Sequence, residues 1–260
     1  MISDERPAVL LIPGFLGSPP MYGRMASRLL ARGAAGVTVA PIWTPDWLLS
    51  VAVGFGPLTR RTGRAVLDAY RRAGGRPLLV IGHSSGGVLA RLATSPQPYR
   101  GRQAGVAETY GALVTLGTPH LLREAARRPF RAAHEACRYL DQTIPGAWFA
   151  PRTAYVAVGS RCVEGALREE PDLRRRTLGH VYALLAGDAA RDGWGDGLIL
   201  EAATHLDGAR NVSLERISHG PGLSVPWYGS DEGLDGWWDI ALEAWHGALR
   251  ARSRMAAETR

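Results

Sequence analysis

Leu78-Leu79-Val80-Ile81-Gly82-His83-Ser84-Ser85-Gly86-Gly87-Val88-Leu89-Ala90 decides how the rest of the chain is read. Its first part is a short apolar run that reads as a buried strand, and the stretch from Ser85 to Thr94 reads as a helix. Almost nothing separates the two, so Gly82-His83-Ser84-Ser85-Gly86 must turn from strand to helix on the serine itself. Small residues on both sides suit such an elbow, because the backbone passes too close for side chains. Ser84 would then stand exposed at a helix amino terminus, where the dipole and free N–H groups favour a developing anion. Ser84 is thus a candidate nucleophile, and a glycine-rich turn with a structural serine is the blander alternative.

Outward from the elbow, apolar runs bounded by Gly and Pro alternate with helical patterns. That is the signature of an α/β chain whose mostly parallel central sheet carries helices on both faces. Strands are expected at Ala8 to Ile12, Val37 to Ile42, Leu78 to Gly82, Leu113 to Leu116, Thr153 to Val158, Val181 to Ala186 and Asn211 to Leu214. Helices are expected at Pro20 to Arg32, Thr59 to Ala73, Ser85 to Thr94 and Leu234 to Ala251. No repeat or low-complexity linker divides the 260 residues, so residues 1–260 are expected to form one domain. With 46% hydrophobic and 21% charged residues, a sizeable core is expected and disorder is not.

Two segments fit the sheet poorly and are candidate caps, 45–58 and 120–152. In the first, Trp47 and Leu48 open an apolar stretch that runs to Phe55; it either lines a substrate groove or packs under the next helix. In the second, Leu121 to Arg138 interleaves Leu122, Ala126 and Phe130 with Arg123, Arg127, Arg128 and Arg131. This is a basic amphipathic pattern that fits a cap, a weak membrane-surface contact, or simply a solvated helix face.

The net charge is +7 and there is no lysine, so all 31 basic residues are arginine. Compositional bias accounts for much of this, and without an RNP-like motif, finger spacing or compact basic tract a nucleic-acid partner is not expected. Cys137 and Cys162 match neither a metal spacing nor a disulfide framework and are read as reduced thiols, with no metal site. The apolar run near the amino terminus is too short for a signal segment, and no stretch reaches the length of a membrane span. A cytoplasmic location is therefore expected, while nothing in the sequence sets the oligomeric state.

A nucleophilic serine needs oxyanion donors, a base and an acid. The donors expected are the backbone N–H groups of Ser85, directly after the nucleophile, and of Phe15, in Pro13-Gly14-Phe15-Leu16-Gly17 after the first strand. Leu16, His83 and His120 are expected beside them in the pocket. For a serine on a strand-to-helix elbow the chain order is serine, acid, histidine, which leaves His205, His219 and His246 as bases. His219, in the loop Ile217-Ser218-His219-Gly220-Pro221-Gly222 after the last strand, is best placed to aim its ring back over the sheet. The acid is least determined. Asp188, Asp192, Asp196 and Asp207 all lie in the right interval; Asp196 has the turn chemistry of Gly195-Asp196-Gly197, and Asp188 directly after an expected strand is the alternative.

Together these residues resemble lipase-like α/β hydrolases of bacteria, cyanobacteria and plant plastids, akin to the inositol-deacylase-like lipases. The resemblance runs through the two motifs above and Leu116-Gly117-Thr118-Pro119-His120, Trp194-Gly195-Asp196-Gly197, His219-Gly220-Pro221 and Pro226-Trp227-Tyr228-Gly229-Ser230. It implies an α/β-hydrolase fold with a small cap, a Ser84-Asp196-His219 triad, no cofactor, and hydrolysis of small-molecule or lipid esters through an acyl-enzyme. An acyltransferase using the same triad, or a silent binding scaffold, are the alternatives. One departure leaves a loop shape open: family members often carry a proline three or four residues beyond the acid, and this chain has Leu198-Ile199-Leu200.

Overall fold

The computed structural model describes residues 5–120, 130–221 and 226–258. Six strands, β1 (Ala8–Ile12), β2 (Gly36–Val39), β3 (Leu78–His83), β4 (Tyr110–Leu116), β5 (Ala154–Arg161) and β8 (Arg210–Glu215), pair in the order β2-β1-β3-β4-β5-β8. Every neighbouring pair is parallel. All six carboxyl ends therefore lie along one edge, and β3, with the elbow at its tip, runs between β1 and β4. A separate antiparallel ribbon joins β6 (Val163–Glu164) to β7 (Trp194–Gly195).

Alternation along the strands assigns each side chain to a face. In β1, Leu10 and Ile12 enter one core layer while Val9 and Leu11 enter the other; Leu78 and Val80 of β3 part from Leu79 and Ile81 in the same way. Both sides of these strands are apolar because both are covered. On the first face lie α2 (Thr44–Val53), α3 (Gly56–Arg72), α4 (Ser85–Thr94), α5 (Arg131–Thr143) and α6 (Leu173–Ala186); on the second lie α1 (Gly23–Ala31) and the long α7 (Asp231–Glu258). No helix among the described residues is long and apolar enough to cross a membrane.

One expected strand is a helix. Val181 to Ala186 forms the end of α6, whose N-cap Asp172 accepts hydrogen bonds from the N–H groups of Arg174 and Arg175. Within that run Tyr182 and Leu185, three apart, are the buried residues, so it keeps a helical period. The Asp172 cap was the signal that the apolar run obscured. The segments expected as caps contain α2 and α5; residues 121–129, where the basic amphipathic pattern was expected to begin, lie outside the described residues.

The second face carries a link to the carboxyl-terminal edge of the sheet. Trp237 of α7 is fully buried, and its indole N–H donates to the Tyr228 carbonyl at 3.0 Å. Removing the ring leaves a cavity and an unpaired acceptor below Tyr228. Trp237→Ala should lower stability by about 3–5 kcal/mol, read from the urea midpoint; a loss of less than about 1 kcal/mol would show that this face is not a packed core.

Candidate active site

Ser84 is the residue between β3 and α4, with φ 53° and ψ −130°. A non-glycine residue there carries backbone strain that its surroundings must hold. They do so from two neighbours: Ser84 N–H donates to Leu116 O at 2.8 Å, and Thr118 Oγ donates to Ser84 O at 2.9 Å. The glycines are required by close approach. A Cβ on Gly82 would stand 2.4 Å from Gly87 Cα, and one on Gly86 would stand 2.3 Å from the Ile12 carbonyl oxygen.

The loop after β1 comes against this elbow. Gly17 N–H closes a turn onto Gly14 O at 2.8 Å, with Leu16 at φ 60°. The Phe15 N–H has no hydrogen-bond partner among the described residues, and Ser85 N–H, in the first turn of α4, has no intrahelical acceptor. Phe15, Ser84, Ser85 and His219 all line one cavity of about 240 Å³.

Asp196 follows β7 and is buried. Its Oδ1 accepts the N–H groups of Leu198 at 3.0 Å and Ile199 at 2.7 Å. Its Oδ2 accepts His219 Nδ1–H at 2.7 Å and the Tyr228 hydroxyl at 2.9 Å. Burial alone would raise its pKa, but the charge and hydrogen bond of His219 and the two amides outweigh it and hold the carboxyl below its ordinary value. The missing proline has a consequence here: at position 199 it would have no N–H to give this carboxylate.

With Nδ1 donating to Asp196, His219 keeps Nε2 as an acceptor. No hydrogen bond joins that nitrogen to Ser84 Oγ among the described residues. Gly117, at φ 55°, lets the pair form: a Cβ there would lie 2.7 Å from Asp196 Oδ2 and 3.1 Å from His219 Nδ1.

Behind the serine, the His83 Nε2–H donates to the His219 carbonyl at 2.7 Å. Its Nδ1 must then accept, and it does so from the Tyr22 hydroxyl at 2.8 Å, whose oxygen accepts Gly14 N–H at 2.9 Å. This chain ties the loop of Phe15, the elbow and the His219 loop together. Burial first, and the neighbouring His219 second, push the His83 pKa down to about 3, so the ring stays neutral.

Leu16 and His83 stand in the cavity wall, whereas three residues expected there do not. Trp47 is wholly buried and packs edge-on against Phe15 and Phe55, because α2 turns that side of itself to the core. Leu48, the next residue round the helix, points to solvent. His120 lies under the sheet edge, where its ring meets Thr115 Oγ at 3.0 Å and the buried Arg91 at 3.4 Å. Asp188 is exposed and paired with Arg191 and Arg168. His205 pairs with Glu201, and His246 meets Trp245 edge-on. Tyr22, Tyr228 and Gly117 escaped assignment, since nothing in their local sequence marks the Tyr22 hydroxyl as a partner of His83, or the Tyr228 hydroxyl and the bare Gly117 Cα as neighbours of the Asp196 carboxylate. Among the described residues no group of three or more His, Cys, Asp or Glu side chains is placed to hold a metal ion.

The fold is that of the α/β hydrolases. No family model and no curated protein matches the sequence. Among solved structures, the chain is similar to the mature lipase BlEst2 of Bacillus licheniformis, at 14% identity and a TM-score of 0.62 over 94% of this chain and 93% of that one. It is also similar to the phospholipase PlaB of Legionella pneumophila, at 11% identity and a TM-score of 0.55 over 85% of this chain and 55% of that one.

The buried neutral His83 gives a pH dependence with a definite sign. Below an unfolded-state pKa near 6.5 the unfolded chain binds a proton that the folded chain refuses until about pH 3, so this stability is present above 6.5 and is lost as pH falls toward 3. Between pH 7 and 4.5 the loss should be about 2–3 kcal/mol. Urea titrations at the two pH values should show His83→Gln losing less by about that amount; an equal loss in both proteins would mean that His83 titrates normally.

Proposed function

We propose that this protein is a serine hydrolase of carboxylic esters, acting through Ser84, His219 and Asp196. The observation that carries the reading is the buried Asp196 Oδ2–His219 Nδ1 hydrogen bond of 2.7 Å, with His219 and Ser84 on one cavity wall. The likeness to a lipase and a phospholipase is support from fold alone.

In this mechanism Ser84 Oγ closes onto His219 Nε2 as the ester enters, since such contacts tighten in the substrate complex. His219 takes the serine proton, the alkoxide attacks the ester carbonyl, and the oxyanion receives the Phe15 and Ser85 N–H groups. His219, now a cation held by the ionised Asp196, returns its proton to the leaving alcohol. Water, deprotonated by the same nitrogen, then attacks the acyl-enzyme carbonyl, and as the ester bond to Ser84 breaks His219 returns that proton to Ser84 Oγ.

The cavity selects for apolar acyl groups. Phe15, Leu16, Met21, Phe130, Leu185, Leu198 and Ile199 form much of its wall, and among the described residues none that lines it is Asp, Glu or Arg. Phe130 and Ala133 come from the segment 120–152, to which we assign the cap role; residues 45–58 supply none of the wall.

A fluorophosphonate should label the native chain at Ser84 and leave Ser84→Ala unmodified. Turnover of an alkanoyl ester should fall about ten-thousandfold in Ser84→Ala and in His219→Ala, and by a comparable factor in Asp196→Asn, which disturbs the histidine tautomer. A folded native chain that is neither labelled nor active on any acyl ester overturns the assignment.

An ester whose acyl group ends in a carboxylate should be a poor substrate by roughly a hundredfold or more in kcat/KM, because the described residues of the wall offer that charge no arginine. Steady-state kinetics on alkanoyl and succinyl esters of one alcohol checks this, and equal values would contradict the apolar acyl site.

A further inference from the structure

Helix α2, Thr44-Pro45-Asp46-Trp47-Leu48-Leu49-Ser50-Val51-Ala52-Val53, carries apolar residues on both of its sides. Inward, Trp47 fills the core between Phe15 and Phe55. Outward, Leu48 is 59% exposed, Leu49 57% and Val53 42%, and Trp43, just before the helix, is 46% exposed. A helix that only met water would present polar side chains there. Its single ionised residue, Asp46, is bound to Arg61 at 2.6 Å.

This apolar surface continues to the cavity of Ser84. Thr44 Oγ donates to the Leu16 carbonyl at 3.0 Å, and Leu16 and Met21, 42% and 49% exposed, belong to the cavity wall. Arginines stand on both flanks of the helix. Arg60, Arg61 and Arg64 share one surface hollow with Leu49 and Val53, and Arg100 and Arg131 share another with Val51 and Ala52. Five guanidinium groups thus face two carboxylates, Asp46 and Glu135, and Arg60 and Arg64 have no ion pair among the described residues.

We propose that α2 and the Leu16–Met21 rim dock the protein on an anionic lipid bilayer. Leu48, Leu49 and Val53 enter the acyl boundary, while the flanking arginines, on long stems, reach the phosphate level. An apolar strip bordered by charge of one sign matches an apolar interior under a negative surface. A second copy fits less well, because two-fold pairing on this strip would set arginine banks against each other. Docking needs neither Ser84 nor His219; only the delivery of lipid esters to the cavity mouth rests on the hydrolase reading.

Co-sedimentation of the full chain with phosphatidylcholine vesicles, with and without phosphatidylglycerol, tests the proposal. Binding should require the anionic lipid and weaken with salt. It should fall roughly tenfold or more in Leu48→Glu/Leu49→Glu and about fivefold per arginine in Arg60→Glu/Arg64→Glu. Both variants should hydrolyse a soluble short-chain ester as the native chain does, which also shows that they are folded. Absent binding, indifference to lipid charge, or full binding by the leucine variant overturns the proposal. So does light scattering that shows a native dimer dissociated by the leucine substitutions, which would make a second copy the occupant. Anionic-vesicle binding lost in the variants, from a chain without esterase activity, would sustain docking and sink the hydrolase reading.

Discussion

A carboxylate taken out of water must be surrounded, and Asp196 organises the carboxyl-terminal edge of the sheet for that reason. An unpartnered charge at that depth would be lost to protonation or would unfold its neighbourhood. Four donors prevent it: two amides of its own turn, the Tyr228 hydroxyl and the His219 ring. Each comes with its own support. Tyr228 is held by Trp237 through its carbonyl, and His219 N–H returns to the Asp196 carbonyl at 2.9 Å, so the two loops are joined by backbone as well as by side chain.

The parallel sheet makes this convergence possible. Because every strand points the same way, the loops after β1, β3, β4 and β8 all emerge at one edge and can meet there. β3 brings the serine, β1 the turn with Phe15, β4 the bare Cα of Gly117, and β8 the loop of His219. The Gly14–Tyr22–His83–His219 chain of hydrogen bonds then fastens the first, second and last of these across the sheet. It works only with a neutral His83 whose proton is on Nε2, and burial of that ring supplies the condition. Rigidity of the edge and electrostatics of the edge are therefore one property.

The same edge continues into a surface of another kind. Helix α2 buries Trp47 and exposes Leu48 and Leu49, so one sequence of apolar residues serves the core on one side and solvent on the other. Hydrophobic composition alone cannot separate those uses. Burial is decided by which side of the helix meets Phe15 and Phe55, and that depends on the register in which α2 packs.

What the sequence by itself determined was local. The strand–Gly82-His83-Ser84-Ser85-Gly86–helix elbow, the apolar alternation of β1 and the glycine-bounded loop at Phe15 were legible because each is settled by residues a few positions apart. Steric access at a turn and side-chain direction along a strand need no distant partner. Only tertiary structure separates Asp196, buried against the His219 ring, from Asp188, exposed and paired with Arg191 and Arg168. It also turned Val181 to Ala186 into helix, took Trp47 and His120 out of the cavity wall, and brought in Tyr22, Tyr228 and Gly117. The helix at Val181 to Ala186 did have a local mark in its Asp172 cap; for the other residues the deciding quantity was burial against a segment far away in the chain, and desolvation of that sort leaves no pattern in neighbouring residues.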